Sequence, residues 1–263
     1  MTVEVPLSGG DVVTEGVVRV GDTVRRPLGP HSPAVHGLLR HLEAAGFDGA
    51  PRLLGTDEHG REVLSWVRGE TPARPLPAYA VTEEALAGVA GLLRGYHEAV
   101  RAYEPPADAP WDTVASALDG APEIIGHCDV TPENVVFRAG APVALIDFDL
   151  ARPTTRLYDV VTALRHWGPI ADPCDRDGRL YGADVGRRLR VFCDAYGLAG
   201  DDRRRLLVAA RVRFERSYEA MRLRAENVGG GWARLWQGGA GPRIRRAQDW
   251  LERNWDDLDA RLT

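Results

Sequence analysis

Lysine is missing from this chain altogether: all 33 basic residues among its 263 are arginines. Every role that needs a side-chain cation therefore falls to a group that stays charged at physiological pH and presents a planar fork of donors. Cysteine is scarce and odd in number. Cys128, Cys174 and Cys193 lack C-x-x-C spacing, which argues against a disulfide framework and against a zinc site and leaves them as reduced thiols, packed or idle. Long apolar runs are also missing, and no charged-then-apolar leader opens the sequence, so neither a membrane span nor a secretory signal is expected and the expected address is cytoplasmic. Nor is there an excess of positive charge. A formal net charge of -5 and a pI near 5.8 disfavour nucleic acid or an anionic membrane as partner and leave room for a cationic substrate.

What is present suffices for a substantial core: 44% of residues are hydrophobic, enough for one large domain or two unequal lobes around a cleft. Val17 to Val20 and Thr23 to Arg26 flank Gly21-Asp22 and predict a hairpin. Ser32-Pro33 predicts a cap and first turn, with Val35, Leu38, Leu39, Leu42 and Ala45 at helical spacing up to Gly46. Short strands around Arg52 to Leu54 and Glu62 to Val67 complete a small sheet with one helix over residues 1–67. Residues 68–77, with Gly69, Pro72, Pro75 and Pro77, read as a hinge.

Residues 78–263 read as mainly helical. Thr82 caps a helix whose first turn holds Glu83 and Glu84 and whose apolar face holds Leu86, Val89, Leu93, Tyr96 and Val100. Val135 to Phe137 and Val143 to Ile146 predict a second hairpin around Gly140-Ala141-Pro142. Gly229 to Gly231 and Gly238 to Gly241 bracket Trp232 and Trp236 in a mobile loop or short helix. Ile244, Ala247, Leu251, Trp255, Leu258 and Leu262 predict the packing face of one last helix.

The chemistry concentrates in His127-Cys128-Asp129-Val130-Thr131-Pro132-Glu133-Asn134 and Ile146-Asp147-Phe148-Asp149, two acids and an amide on either side of one hairpin. Phosphoryl transfer needs oxygen ligands for magnesium and a carboxylate that orients the attacking hydroxyl. The five-residue interval from Asp129 to Asn134 matches that of a kinase catalytic loop.

These segments, H-C-D-V-T-P-E-N-V-V-F and A-L-I-D-F-D-L-A-R-P, resemble the H-G-D-x-x-x-x-N and I-D-F/W-D/E motifs of the aminoglycoside phosphotransferase family. L-L-R-G-Y-H (Leu92 to His97) and R-L-Y-D-V (Arg156 to Val160) extend the resemblance over most of the chain. It implies an α+β, bilobal protein-kinase-like fold with a small antiparallel sheet lobe and a larger helical lobe. It further implies that Asp129 is the catalytic base, that Asn134 and Asp147 hold Mg2+, that Asp159 braces the catalytic loop and that ATP or GTP is the co-substrate. His127 reads as a loop-bracing residue. Asp149 stands where protein kinases have glycine, as a second-metal ligand or a turn cap.

Three departures stand out. Cys128 occupies the usual glycine position. The strand lysine that meets the nucleotide phosphates is replaced by an arginine, with Arg25 preferred over Arg26, only one of which can face the cleft. The helix glutamate that pairs with that lysine is absent, Val35 and His36 filling its region. Gly9, Gly10 and Asp11 form either a phosphate-covering turn or an ordinary one, and Glu62, Leu64, Ser65 and Trp66 are expected by resemblance to supply backbone groups to the purine. The implied activity is transfer of a γ-phosphoryl group to a hydroxyl of a small molecule, aminoglycoside- or antibiotic-like. A peptide Ser or Thr is an alternative acceptor, and a non-catalytic immunity-type binding protein an alternative role. Asp172, Asp175, Asp177 and Asp184 offer an acidic face that suits a cationic acceptor or is simply solvated.

Overall fold

The computed structural model describes residues 3–7, 16–114, 121–198 and 200–262; the turn at Gly9, Gly10 and Asp11 lies outside them. Five strands open the chain: β1 (Val5–Pro6), β2 (Val18–Val20), β3 (Thr23–Arg26), β4 (Leu53–Thr56) and β5 (Glu62–Ser65). They form one antiparallel sheet in the order β1-β2-β3-β5-β4. Gly21 makes the predicted β2–β3 turn with φ +60, a value that glycine reaches without a Cβ penalty. In β3 the pleat sends Val24 and Arg26 to one face and Thr23 and Arg25 to the other. Val24 packs on the core opposite Leu64, and Arg26 stands opposite Glu62.

Helix α1 (Ser32–Ala44) buries Val35, Leu38, Leu39 and Leu42. Each such burial contributes about 1.5–3 kcal/mol. Ser32 begins this helix instead of capping it: the cap position is His31, and the Ser32 hydroxyl accepts from the Gly29 N–H at 2.9 Å. The strands also shift against expectation. β4 continues to Thr56 and β5 stops at Ser65, although the Trp66 N–H still reaches the Asp22 carbonyl opposite it at 2.9 Å.

The segment 68–77 is docked and not free-standing. Glu70 and Phe137 exchange both backbone hydrogen bonds, at 2.9 and 2.7 Å. Gly69 has φ +147, and a Cβ there would overlap the Phe137 carbonyl oxygen, so glycine is required where the chain crosses.

Beyond it lie α2 (Glu83–Ala99), capped by Thr82 as predicted, and two small two-stranded sheets. One is the predicted hairpin of β7 (Val135–Arg138) and β8 (Ala141–Leu145). The other, β6 (Ile124–Gly126) with β9 (Arg152–Thr154), is not evident from the alternation pattern because each strand is only three residues long. The helices α3 (Arg156–Trp167), α4 (Val185–Tyr196), α5 (Gly200–Asn227), α6 (Gly230–Gln237), α7 (Ala240–Arg253) and α8 (Trp255–Leu262) complete the larger lobe. The glycine-bracketed tryptophans form the short helix α6 and are packed: Trp232 lies under Arg224 and Trp236 against Tyr218. The single last helix expected from the apolar stripe is two, α7 and α8. Asn254 ends the first by bonding its side chain to the Trp250 carbonyl at 2.7 Å, and its own carbonyl accepts from Leu258 at the start of the second. Among the described residues no helix is long and apolar enough to cross a membrane.

Candidate active site

The loop between β6 and β7 carries the H-C-D-x-x-x-x-N residues, and a single buried carboxylate shapes it. Asp159, in the first turn of α3, accepts from the His127 N–H (Oδ2, 2.8 Å) and from the Cys128 N–H (Oδ1, 2.8 Å), and meets His97 Nε2 at 3.0 Å. Burial raises its pKa, but the His97 hydrogen bond, the two histidine rings beside it and the Cys128 N–H outweigh that and hold it below the usual carboxylate value. Gly126 makes the close approach possible, because a Cβ there would overlap Thr154 and sit 2.9 Å from Asp159 Oδ2. His97, from the L-L-R-G-Y-H segment, is itself fixed by Tyr196 at 2.7 Å.

His127 is wholly buried and neutral in character. Its Nδ1 accepts from the Asp129 N–H at 3.3 Å and its Nε2 faces the Ile146 carbonyl at 3.1 Å, a pairing that fits the Nε2–H tautomer. Asn134 completes the loop: its amide nitrogen donates to the Asp129 carbonyl (3.0 Å) and to Asp129 Oδ2 (2.8 Å), which leaves the amide oxygen available as a ligand. The Ile146 N–H donates to the Asn134 carbonyl at 2.9 Å. Asn134 and Asp147 are thus held on adjacent backbones, as the hairpin between them suggests.

Two residues of this site hold left-handed backbone without being glycine, Cys128 at φ +62 and Asp147 at φ +62. Each such conformation costs on the order of 1–3 kcal/mol, and such strain clusters at functional sites. Cys128 is buried, its thiol pushed up to about 12 chiefly by burial, so it is a filled space beside the loop and not a nucleophile.

The sheet contributes Arg26, not the preferred Arg25, which the pleat turns to the opposite face. Arg26 is 8% exposed and donates from Nε to Glu62 Oε1, from Nη1 to Asp147 Oδ1 at 3.2 Å and from Nη2 to Asp149 Oδ1 at 2.7 Å. Burial pulls its pKa down, but Asp149, Asp147 and Glu62 together raise it, so the cation is secure. Its buried partner comes from an unexpected element. Glu62, 1% exposed, lies on β5 directly across the ladder from Arg26, and its second oxygen meets His36 Nε2 of α1 at 2.6 Å. The helix position that lacks a glutamate therefore supplies a histidine that orients a strand glutamate.

Of the residues expected to offer backbone groups to a purine, Glu62 enters through its side chain. Leu64 is buried in the core. The Ser65 N–H is engaged with the Arg52 carbonyl at 2.9 Å and the Trp66 N–H with Asp22. Asp149 neither caps a turn alone nor stands apart: it is a carboxylate partner of Arg26. The four acids proposed as a face for a cation are tied up elsewhere. Asp172 caps Cys174 and pairs with Arg253, Asp175 pairs with Arg246, Asp177 accepts from Leu76, and Asp184 caps α4 and pairs with Arg261.

Oxygen donors from an amide and a carboxylate are the set that magnesium prefers, so Asn134 and Asp147 fit such an ion. Sequence comparison agrees with the geometry. Residues 105–207 match the model of the phosphotransferase enzyme family (APH). The chain is 37% identical over 218 residues, 77% of each chain, to a trifolitoxin immunity protein of Rhizobium leguminosarum bv. trifolii. This chain belongs to the phosphotransferase enzyme family. Among solved structures it resembles a choline/ethanolamine kinase family protein of Mesorhizobium loti (TM-score 0.61, 17% identity, 98% of this chain and 92% of that one). It also resembles aminoglycoside 2'-phosphotransferase-IIIa in its GDP complex (TM-score 0.52, 16% identity, 97% and 93%). These likenesses define the fold as α+β, bilobal and kinase-like.

Proposed function

We propose that this protein is a nucleotide-dependent O-phosphotransferase that moves the γ-phosphoryl group of ATP or GTP to a hydroxyl of a small molecule. The observation that carries this reading is the chain of contacts that joins Asp129 to Asn134, Asn134 to the backbone beside Asp147, and Asp147 to Arg26. Arg26, permanently charged, meets the nucleotide phosphates once they displace the carboxylates of Asp147 and Asp149 from its outer nitrogens. Asn134 Oδ1 and Asp147 hold magnesium, which when bound neutralises phosphate oxygens. Asp129, oriented by Asn134, receives the proton of the acceptor hydroxyl as its oxygen bonds to the γ-phosphorus and the bond to the bridging β-phosphate oxygen breaks, releasing the nucleoside diphosphate.

Calorimetric titration of ATP and GTP, with and without magnesium, on the wild type and on Asp147→Ala tests this without knowledge of the acceptor. Magnesium-dependent binding that the variant loses is expected. Failure of the wild type to bind either nucleotide would overturn the reading.

A second reading has its own support in the relative named as an immunity protein: the chain binds a peptide or small toxin, or phosphorylates a Ser or Thr within one, and so confers tolerance. Asp129→Asn separates the two forms of that reading. Loss of tolerance with nucleotide binding intact points to catalysis, and retained tolerance points to binding alone.

A further inference from the structure

On the helical side of the catalytic loop the charges run opposite to those a cationic acceptor would need. Arg152 of β9 and Arg213 of α5 lie near Cys128, Arg165 of α3 lies near Arg213, Asp129 and Arg243 of α7, and Arg224 of α5 lies near Arg152 and Arg213. Arg213 donates from Nε to Thr162 Oγ1 at 2.9 Å and lies over the Tyr158 ring at 5.6 Å. Arg165 lies over the Phe214 ring at 5.7 Å, and Arg224 over Trp232 at 4.7 Å. Arg165 is surrounded by like charge: burial, then Arg213 and Arg243, pull its pKa down to about 9 against the opposing charge of Asp129.

Asp129 is the acid of the catalytic loop that faces this group; the others packed against it are engaged elsewhere. Asp112 pairs with Arg224, and both oxygens of Asp159 are occupied by the catalytic loop and His97. Among the described residues, the buried polar atoms without a hydrogen-bond partner include Nε of Arg152, a residue 4% exposed, and the hydroxyl of Tyr158. Buried guanidinium groups in excess over carboxylates, with an orphaned donor among them, are costly unless an anion completes them.

We infer that the acceptor side of this cleft is an oxyanion site, so that the hydroxyl to be phosphorylated is carried on a small molecule bearing a carboxylate or a phosphate, held by Arg165 and Arg213 with Arg152 and Tyr158 behind them. Arginine suits this task, since its planar fork pairs with either oxyanion through two parallel hydrogen bonds. The idea that the hydroxyl is phosphorylated rests on the phosphotransferase reading, but the anion site does not.

The test is a titration of the full-length protein at constant ionic strength, with magnesium and ADP at saturation so that the nucleotide phosphate site is filled. The probes are inorganic phosphate, L-malate and choline, followed by tryptophan fluorescence. Saturable binding of phosphate or malate is expected, with no response to choline, and whichever of the two binds more tightly identifies the oxyanion preferred. Arg213→Gln is expected to weaken it at least tenfold. Arg243→Gln, an exposed position where misfolding is not at issue, is expected to weaken it two- to fivefold, with ADP affinity unchanged. Preferential binding of choline, no saturable binding of either oxyanion, or oxyanion binding indifferent to both substitutions would each overturn the inference. Arg-dependent oxyanion binding in a protein that binds no nucleotide would uphold the anion site and sink the phosphotransferase reading instead.

Discussion

Arg26 on the sheet and Asp149 after the second hairpin are bonded across the cleft, Nη2 to Oδ1 at 2.7 Å. The two positions explain each other. An arginine reaches farther and carries a wider head than a lysine, and its outer nitrogens need acceptors that a glycine at position 149 would not supply. With Glu62 on Nε and Asp147 on Nη1, the three nitrogens of the guanidinium each have a carboxylate.

Removing the cation alone strands a buried acid. Arg26→Met is expected to destabilise the fold by about 3–5 kcal/mol, because Glu62 is left without its counter-charge. The double variant Arg26→Met/Glu62→Gln should recover most of that loss in urea unfolding, yet bind nucleotide as poorly as the single variant in calorimetry. Recovery of both properties together would show that Arg26 acts only through folding.

Asp159 organises the catalytic loop from below. Asp159→Asn keeps the shape but exchanges one acceptor oxygen for a donor facing N–H groups, so a loss of about 2–4 kcal/mol is expected in urea unfolding. Phosphotransfer should fall with it even at temperatures where the variant remains folded, since Asp129 is two residues from His127. A stable variant of full stability would remove Asp159 from the account.

The φ of +62 at Cys128 makes a ranked prediction. Glycine relieves the backbone strain and loses a buried side chain, so Cys128→Gly should lie within about 1 kcal/mol of the wild type. Cys128→Val, β-branched where the backbone is left-handed, should be the least stable of the set, with Cys128→Ala between. Urea midpoints for the three variants check the order.

How far the sequence could foretell this site follows from the physics of each part. Asp129, Asn134 and Asp147 were legible because loop and hairpin are local, and spacing along the chain determines their adjacency. Asp159 and His127 followed from the resemblance, and the structure gives them bracing contacts. Arg26 could not be separated from Arg25, because a one-residue choice on a strand depends on which face is buried, and a four-residue strand with two adjacent arginines has no alternation to decide it. Glu62 and His36 were invisible as a pair, since they lie on β5 and α1, which bring these side chains together only in three dimensions. The arginine cluster was hidden more deeply still: β9, α3, α5 and α7 meet only in three dimensions. A net charge of -5 gives no warning of a local positive excess.

His127, together with His166, makes the fold acid-sensitive, both rings being held neutral by burial. Burial, the largest influence, lowers the His127 pKa below the ordinary 6.5, while Asp159 and the Ile146 carbonyl act in the other direction without prevailing. The geometry gives the reason: in the neutral ring Nδ1 accepts the Asp129 N–H, and a proton on Nδ1 would set two donors against each other. The folded protein therefore refuses a proton that the unfolded chain accepts, so stability is full above about pH 6.5 and declines as pH falls, by at most about 1.4 kcal/mol per pH unit for this one group. Asp159, with its pKa lowered from 3.8, adds a second loss only at more acid pH, as the carboxylate of the folded state is protonated in turn. Urea unfolding of the wild type between pH 7.5 and 5 should show the first decline. His127→Asn, weaker at pH 7.5, should lose about 1–2 kcal/mol less across the same range. A variant that declines as steeply as the wild type would place the acid sensitivity on another group and leave the Asp129 loop indifferent to it.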